Sequence, residues 1–521
     1  MAAGSGFRGI LRRSIAVGAV LFAGLLATPA ATGSATGAPQ AGCEGGTESD
    51  FNGDGLRDLA VGDPEATVDG ESKAGLVRVF FGGGKGVAEI SQELTNDRAA
   101  PEANDGYGHA IATYDADQDG CSDLVVGVPY EDVTKDGAAL PDAGAIYIVH
   151  GSPSGFSADS AVETYTQKSL ASWVSTEAGD LFGYALAAGE TDAGEPFLTV
   201  GVPGEAVGAL DDAGCIHYVL GGTSATANQD DPGVPGVAEA NDRFGASLAA
   251  TPDYFAAGSP GEALGNESFA GSVAVFGQEV DGRTPVAMTG VSEDHPALTS
   301  GTAEGQDRFG TALSMLPYRP EGAASETDAL LAVGTPGEDV GTVADAGAVT
   351  VIRIQPSAAV TEKGLVDRFS PGVEGDPVVG DFFGHSVALA NTAPGAVGSS
   401  STVKLAVGVP HQEVGPAEMA GAVHVMPGLG DPGQGDRVLT RGDGLLPGVA
   451  GARERTGWGL HADAGSLYVG IPYSRGDEAP HGVVYGLPWE AVAAGSGGVA
   501  TYRPGAGGAP DEGAAFGWVI R

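Results

Sequence analysis

Two short stretches hold the residue types with the plainest chemistry. "DFNGDGLRD" at residues 50–58 and "DADQDGCSD" at residues 115–123 both fit D-x-[DN]-x-D-G-x-x-D. The pattern puts an oxygen donor at every second residue of a tight loop, and the glycine lets the chain turn. In the first, Asp50, Asn52, Asp54 and Asp58 would supply side-chain oxygens and Leu56 its carbonyl. In the second, Asp115, Asp117, Asp119 and Asp123 would do the same, with the Cys121 carbonyl. Hard oxygen ligands suit calcium, and no His or Cys spacing suits zinc. Three residues past the last Asp stand Val61 and Val126, where an EF-hand needs Glu, so these loops are not EF-hands. Two calcium ions are expected, and the second loop, with four Asp, should need its ion more.

No other stretch offers comparable chemistry. "GHSVA" around Ser386 resembles a nucleophile elbow but ends in Ala where the elbow needs Gly. "GGGKG" lacks the trailing Gly-Lys-Ser/Thr of a phosphate loop, and the nine His are scattered. Arg441-Gly442-Asp443 and Arg475-Gly476-Asp477 spell a tripeptide known as an integrin ligand, in a chain where Gly and Asp are abundant. No catalytic residue is assigned, and the chain is not expected to be an enzyme.

The elements that would position the loops repeat along the chain. "LAVGDP", "LVVGVP", "LTVGVP", "FAAGSP", "LAVGTP", "LAVGVP" and "LYVGIP" are one motif, an apolar strand closed by Gly-x-Pro. Its glycines run from Gly62 to Gly470 in six steps of about 68 residues. Each copy is followed by a small-residue turn and a strand such as "AGLVRVFFG" or "AGAIYIVHG". From the second unit onward an aromatic-Gly pair opens a further strand: "YGHAIA", "FGYALAA", "FGASLAA", "FGTALSM", "FGHSVAL" and "WGLHA", the last placing Trp458 in the aromatic position. The missing opener stands at the C-terminus as "FGWVIR". If the units are blades around an axis, this last strand completes the first sheet and removes its open edge. The expected fold is all-β, a seven-bladed β-propeller closed by the C-terminal strand pairing into the first blade. Ser386 then falls in the same strand column as Ala185, Ser247 and Ala312, a place for a packed small residue.

Phe-Gly, then Gly-x-Pro, then Ala-Gly with a strand, over residues 43–521, resembles the FG-GAP repeat of integrin α-subunit β-propellers, also found in secreted bacterial proteins. The resemblance implies seven blades, an extracellular location, calcium in the ten loop positions above and a role in binding. It also implies that partners are met on the face opposite the calcium loops, by segments such as Tyr130–Asp142, Gly204–Asp212 and Glu338–Asp345, which read as long, acidic and variable. Similar propellers accompany phospholipase and other hydrolase domains, for which residues 43–521 leave no separate room.

Composition fits this reading. With 88 Gly, 32 Pro and 42% hydrophobic residues, the chain can bury a core and make many turns. A net charge of −43 opposes approach to nucleic acid or anionic lipid. Arg8, Arg12 and Arg13, an apolar run from Ile15 to Leu26 and small residues to about position 38 form a secretory signal pattern, too short to span a bilayer. Cys43, Cys121 and Cys215 allow one disulfide and one thiol. The expectation is a secreted monomer, not inserted in a membrane, that binds an extracellular protein or glycan as an adhesion module. The alternatives are a hydrolase-related propeller and a structural envelope protein.

Overall fold

The computed structural model describes residues 43, 45, 48–94, 100–135, 137–431, 433–476 and 479–521. The signal pattern at 1–38 and Asp477 of the second Arg-Gly-Asp lie outside these residues.

The described strands form seven four-stranded antiparallel sheets and one two-stranded hairpin. The second strand of each large sheet is an apolar run, such as Leu59–Asp63 in blade one and Asp123–Val128 in blade two, and these two strands are buried along their whole length. A strand reads this way when both of its faces are covered, and here both are. The apolar residues collect into layers between successive sheets: Val77 and Val79 of blade one pack with Leu124 and Tyr147 of blade two, and Tyr468 and Val484 of blade seven with Leu59 and Val61 of blade one.

Blade one is assembled from both ends of the chain. Leu59–Asp63, Leu76–Phe80 and Val87–Ile90 supply three strands, and Val519–Ile520 the fourth, with Val61 opposite Ile520 and Gly62 opposite Val519. The Gly517 N–H donates to the Gly62 carbonyl at 3.2 Å, as the Gly457 N–H does to Gly470 at 3.0 Å in blade seven.

Glycine is required where neighbouring sheets touch. A Cβ on Gly127 of blade two would lie 2.1 Å from the Gly183 carbonyl oxygen of blade three, and one on Gly470 would lie 2.2 Å from that of Gly517. Any side chain there would push the blades apart. The aromatic residue before each opening glycine is buried: Tyr107, Phe182, Phe244, Phe309, Phe383 and Phe516. Such a ring contributes about 1.5–3 kcal/mol of burial.

The structure corrects the seventh opener. Gly421 bridges Thr456, as Gly271 bridges Phe309 and Gly482 bridges Phe516, so Thr456-Gly457 occupies the place assigned to Trp458-Gly459. Trp458 instead stands in the next column, its ring tilted against His385 at 4.5 Å and Trp518 at 5.0 Å between ring centroids. The segments after Gly-x-Pro are also more regular than expected. Val207–Leu210, Leu264–Glu267, Val340–Val343 and Val414–Ala417 close the same small turn with one antiparallel bridge. Blade two departs from this, with the hairpin Val133–Lys135 and Ala138–Leu140 inside Tyr130–Asp142. Ser386 lies opposite Gly408 and donates to the Gly457 carbonyl at 2.6 Å, as Ser247 does to Gly310 at 2.5 Å, so it ties adjacent blades together.

Candidate functional site

Both acidic loops enter the second strand of their blade: residues 50–58 precede Leu59–Asp63, and residues 115–123 link Ala110–Tyr114 to Asp123–Val128. Each is organised by its own backbone. In loop one the Asp54 N–H donates to Asp50 Oδ1 and Asn52 Oδ1, both at 3.1 Å, and the Gly55 N–H to Asp50 Oδ2 at 2.7 Å. Loop two repeats this: the Asp119 N–H donates to Asp115 Oδ1 at 3.1 Å and Asp117 Oδ1 at 3.2 Å, and the Gly120 N–H to Asp115 Oδ2 at 2.9 Å. Leu56 and Cys121 enter the same pattern, their N–H groups donating to Asp54 Oδ1 and Asp119 Oδ1. Carboxylate oxygens of Asp115, Asp117 and Asp119 lie within 4.8 Å of one another. Oxygens held 2.3–2.6 Å from one calcium fall within about this span, so the donor set fits that ion.

The last Asp of each motif has a further task. Asp58 accepts the Phe51 N–H at 2.9 Å and the Gly82 N–H at 2.7 Å, one on each oxygen. Asp123 accepts the Ala116 and Gly151 N–H groups, both at 2.8 Å. Each carboxylate therefore staples its loop to the end of the third strand of the same blade, a role the spacing alone did not reveal. Burial pushes Asp58 up to about 6, against these hydrogen bonds. Burial also raises Asp115.

The surroundings differ between the loops. In loop one the Lys85 ammonium sits 2.6 Å from Asp54 Oδ2 and holds that carboxyl below its ordinary value. In loop two His150 Nδ1 lies 3.2 Å from Asp123 Oδ2 and 3.7 Å from Asp117 Oδ2, and Asp123 pushes the imidazole up to about 9. Loop two is also bonded through Cys121 to Cys43, leaving Cys215 as a buried thiol. Cys43 rests against Gly53 of loop one, where a Cβ would lie 2.5 Å from its Cα, so one residue touches both loops. Spacing could not have found Lys85, His150 or the pairing, because they come from distant segments.

The inner strands surround a cavity of about 620 Å³ whose lining includes His109, Trp458 and Trp518. His109 packs with a tilted ring against Tyr184 at 4.8 Å and Trp518 at 5.8 Å between centroids, and burial pushes its imidazole down to about 4. Among the described residues no helix is long and apolar enough to cross a membrane.

Residues 107–149, which hold the Tyr107-Gly108 opener, loop two and Gly127-x-Pro129, match the family model described as FG-GAP repeat. Phosphatidylinositol-glycan-specific phospholipase D of Mus musculus is 32% identical over 111 residues, 21% of this chain and 13% of that protein. Integrin alpha pat-2 of Caenorhabditis briggsae is 31% identical over 174 residues, 31% of this chain and 12% of that protein. Integrin alpha-PS2 of Drosophila melanogaster is 34% identical over 112 residues, 20% of this chain and 7% of that protein. The chain thus spans a small part of each relative. With the repeat matched in blade two and its motif order present around the ring, the chain is a seven-bladed β-propeller that carries an FG-GAP repeat and is similar over part of its length to integrin α chains.

Proposed function

We propose that this propeller is a secreted binding module for an extracellular protein or glycan, with calcium in its two acidic loops. The observation that carries the reading is the repeated donor geometry of Asp50, Asn52 and Asp54 and of Asp115, Asp117 and Asp119, each set oriented by backbone N–H groups. Bound calcium would supply charge neutralisation and a fixed loop shape. The residues themselves hold the donors apart, and Asp58 and Asp123 transmit that order to the strands. The Cys43–Cys121 disulfide fits an oxidising compartment outside the cytosol.

Thermal unfolding of the mature protein with calcium and with chelator tests the reading. Calcium at a hundred times its dissociation constant should stabilise by about 2.7 kcal/mol per site, and Asp54→Ala and Asp119→Ala should each remove part of the gain. An unchanged midpoint together with calcium-free protein after chelation would end the metal reading while leaving the propeller intact. The binding role is tested with immobilised glycans and surface proteins in calcium buffer, where saturable retention is expected.

A second reading, a propeller that serves a hydrolase, is favoured by the similarity to phosphatidylinositol-glycan-specific phospholipase D. Cleavage of a glycosylphosphatidylinositol by the purified chain would displace the first reading.

A further inference from the structure

At five blade boundaries a residue just past an outer strand donates to an acid of the next blade. Gln92 Nε2 donates to Glu131 at 2.6 Å, Gln167 Nε2 to Glu205 at 2.5 Å, and Gln229 Nε2 to Glu262. Further round, Arg368 pairs with Asp381, and Arg441 pairs with Glu454 while donating to Ser474. Between blades four and five the same place, just past Thr284–Val291, is held by Glu293.

Glu293 is 2% exposed, and neither of its carboxylate oxygens has a hydrogen-bond partner. It points at Asp307 and Glu338, with oxygens of all three within 4.8 Å of one another. Glu338 Oε2 is likewise buried without a partner, whereas Asp307 accepts the Glu304 N–H in the turn that Asp105 and Asp180 also make. The charged neighbours that act on Glu293 and Glu338 include Asp294, Glu304, Asp339 and Asp367, all acidic, and burial pushes both carboxyls upward. A buried carboxylate without donor or counter-charge is costly. A single hard cation with oxygens at 2.3–2.6 Å would satisfy three such donors at once.

We propose that Glu293, Asp307 and Glu338 form a third cation site, which takes a hard divalent ion such as calcium and replaces the Gln or Arg found at five other boundaries. This site is independent of the two acidic loops.

The test is metal stoichiometry, measured by equilibrium dialysis against calcium after stripping with chelator, for wild type, Glu293→Gln, Glu338→Gln and Asp54→Ala/Asp119→Ala. Glu293→Gln restores the amide used at three other boundaries, so it should fold, bind one calcium fewer than wild type and unfold at the same or higher temperature than wild type in chelator. Glu338→Gln should bind one fewer as well. The double loop variant should keep this ion, which separates failure here from failure of the loop reading. If both Gln variants bind as much calcium as wild type, the three carboxyls share protons among themselves and the proposal falls.

Discussion

In loop one the staple residue Asp58 reaches Gly82, which follows Phe81, and a lysine three residues on, Lys85, caps Asp54. In loop two the staple residue Asp123 reaches Gly151, which follows His150, and the imidazole itself faces Asp123. The same nine-residue motif thus meets a flexible ammonium in one blade, and an imidazole and a disulfide bond in the next. Spacing sets which oxygens converge. Neighbouring strands set how much of their charge is already answered, so two loops of one pattern should differ in their need for metal and in their rigidity.

The largest effect should come from the disulfide. Cys43 and Cys121 are 78 residues apart in sequence, and a cross-link closing a loop of that size typically contributes about 2–4 kcal/mol. Cys43→Ser/Cys121→Ser should lower stability by that amount in denaturant titration and weaken calcium binding in loop two more than in loop one. Equal weakening would show that Cys43 steadies both loops through its contact with Gly53, and the rigidity contrast would fail.

The staples come next. Asn at position 58 or 123 would turn an amide NH2 toward a backbone N–H that now finds an oxygen, leaving a buried donor unmatched at about 1–3 kcal/mol. Asp123→Asn also deprives His150 of its nearest negative charge, so it should cost more than Asp58→Asn. Urea unfolding of the two variants measures the difference, and equal losses would remove His150 from the account of loop two.

Much of this molecule was legible because its motifs have local causes. Gly-x-Pro ends a strand, the opening glycine allows sheet contact, and alternating acids in a turn converge, each within a few residues. That sufficed for the blades and their order, and for the gathering of the Asp115, Asp117 and Asp119 oxygens. The misplacement of Trp458 has the same root: Trp458-Gly459 looks locally like an opener, and it takes the bridge from Gly421 to Thr456 to show that a threonine holds the ring position. Lys85, His150 and the Cys43–Cys121 pairing were hidden because they join segments tens of residues apart. Aligning the third strands would have exposed part of this, since Phe80-Phe81-Gly82 and Val149-His150-Gly151 stand in matching places.

The smallest expected effect is the most specific to loop one. Lys85 offers its ammonium to the oxygen of Asp54 that a metal would also use, and both compete for the same charge. The lysine side chain is 52% exposed, so the pair contributes about 0.2–1 kcal/mol and little of the fold rests on it. Lys85→Met should therefore leave the chelated protein's unfolding midpoint nearly unchanged. With loop two disabled by Asp119→Ala, the same change should tighten calcium binding in loop one by up to about fivefold, as read by titration calorimetry. The gain should shrink in high salt, where the ammonium of the parent protein is already screened. Looser binding would mean that Lys85 holds Asp54 in place for the ion, and the ammonium would then belong to the site as a support.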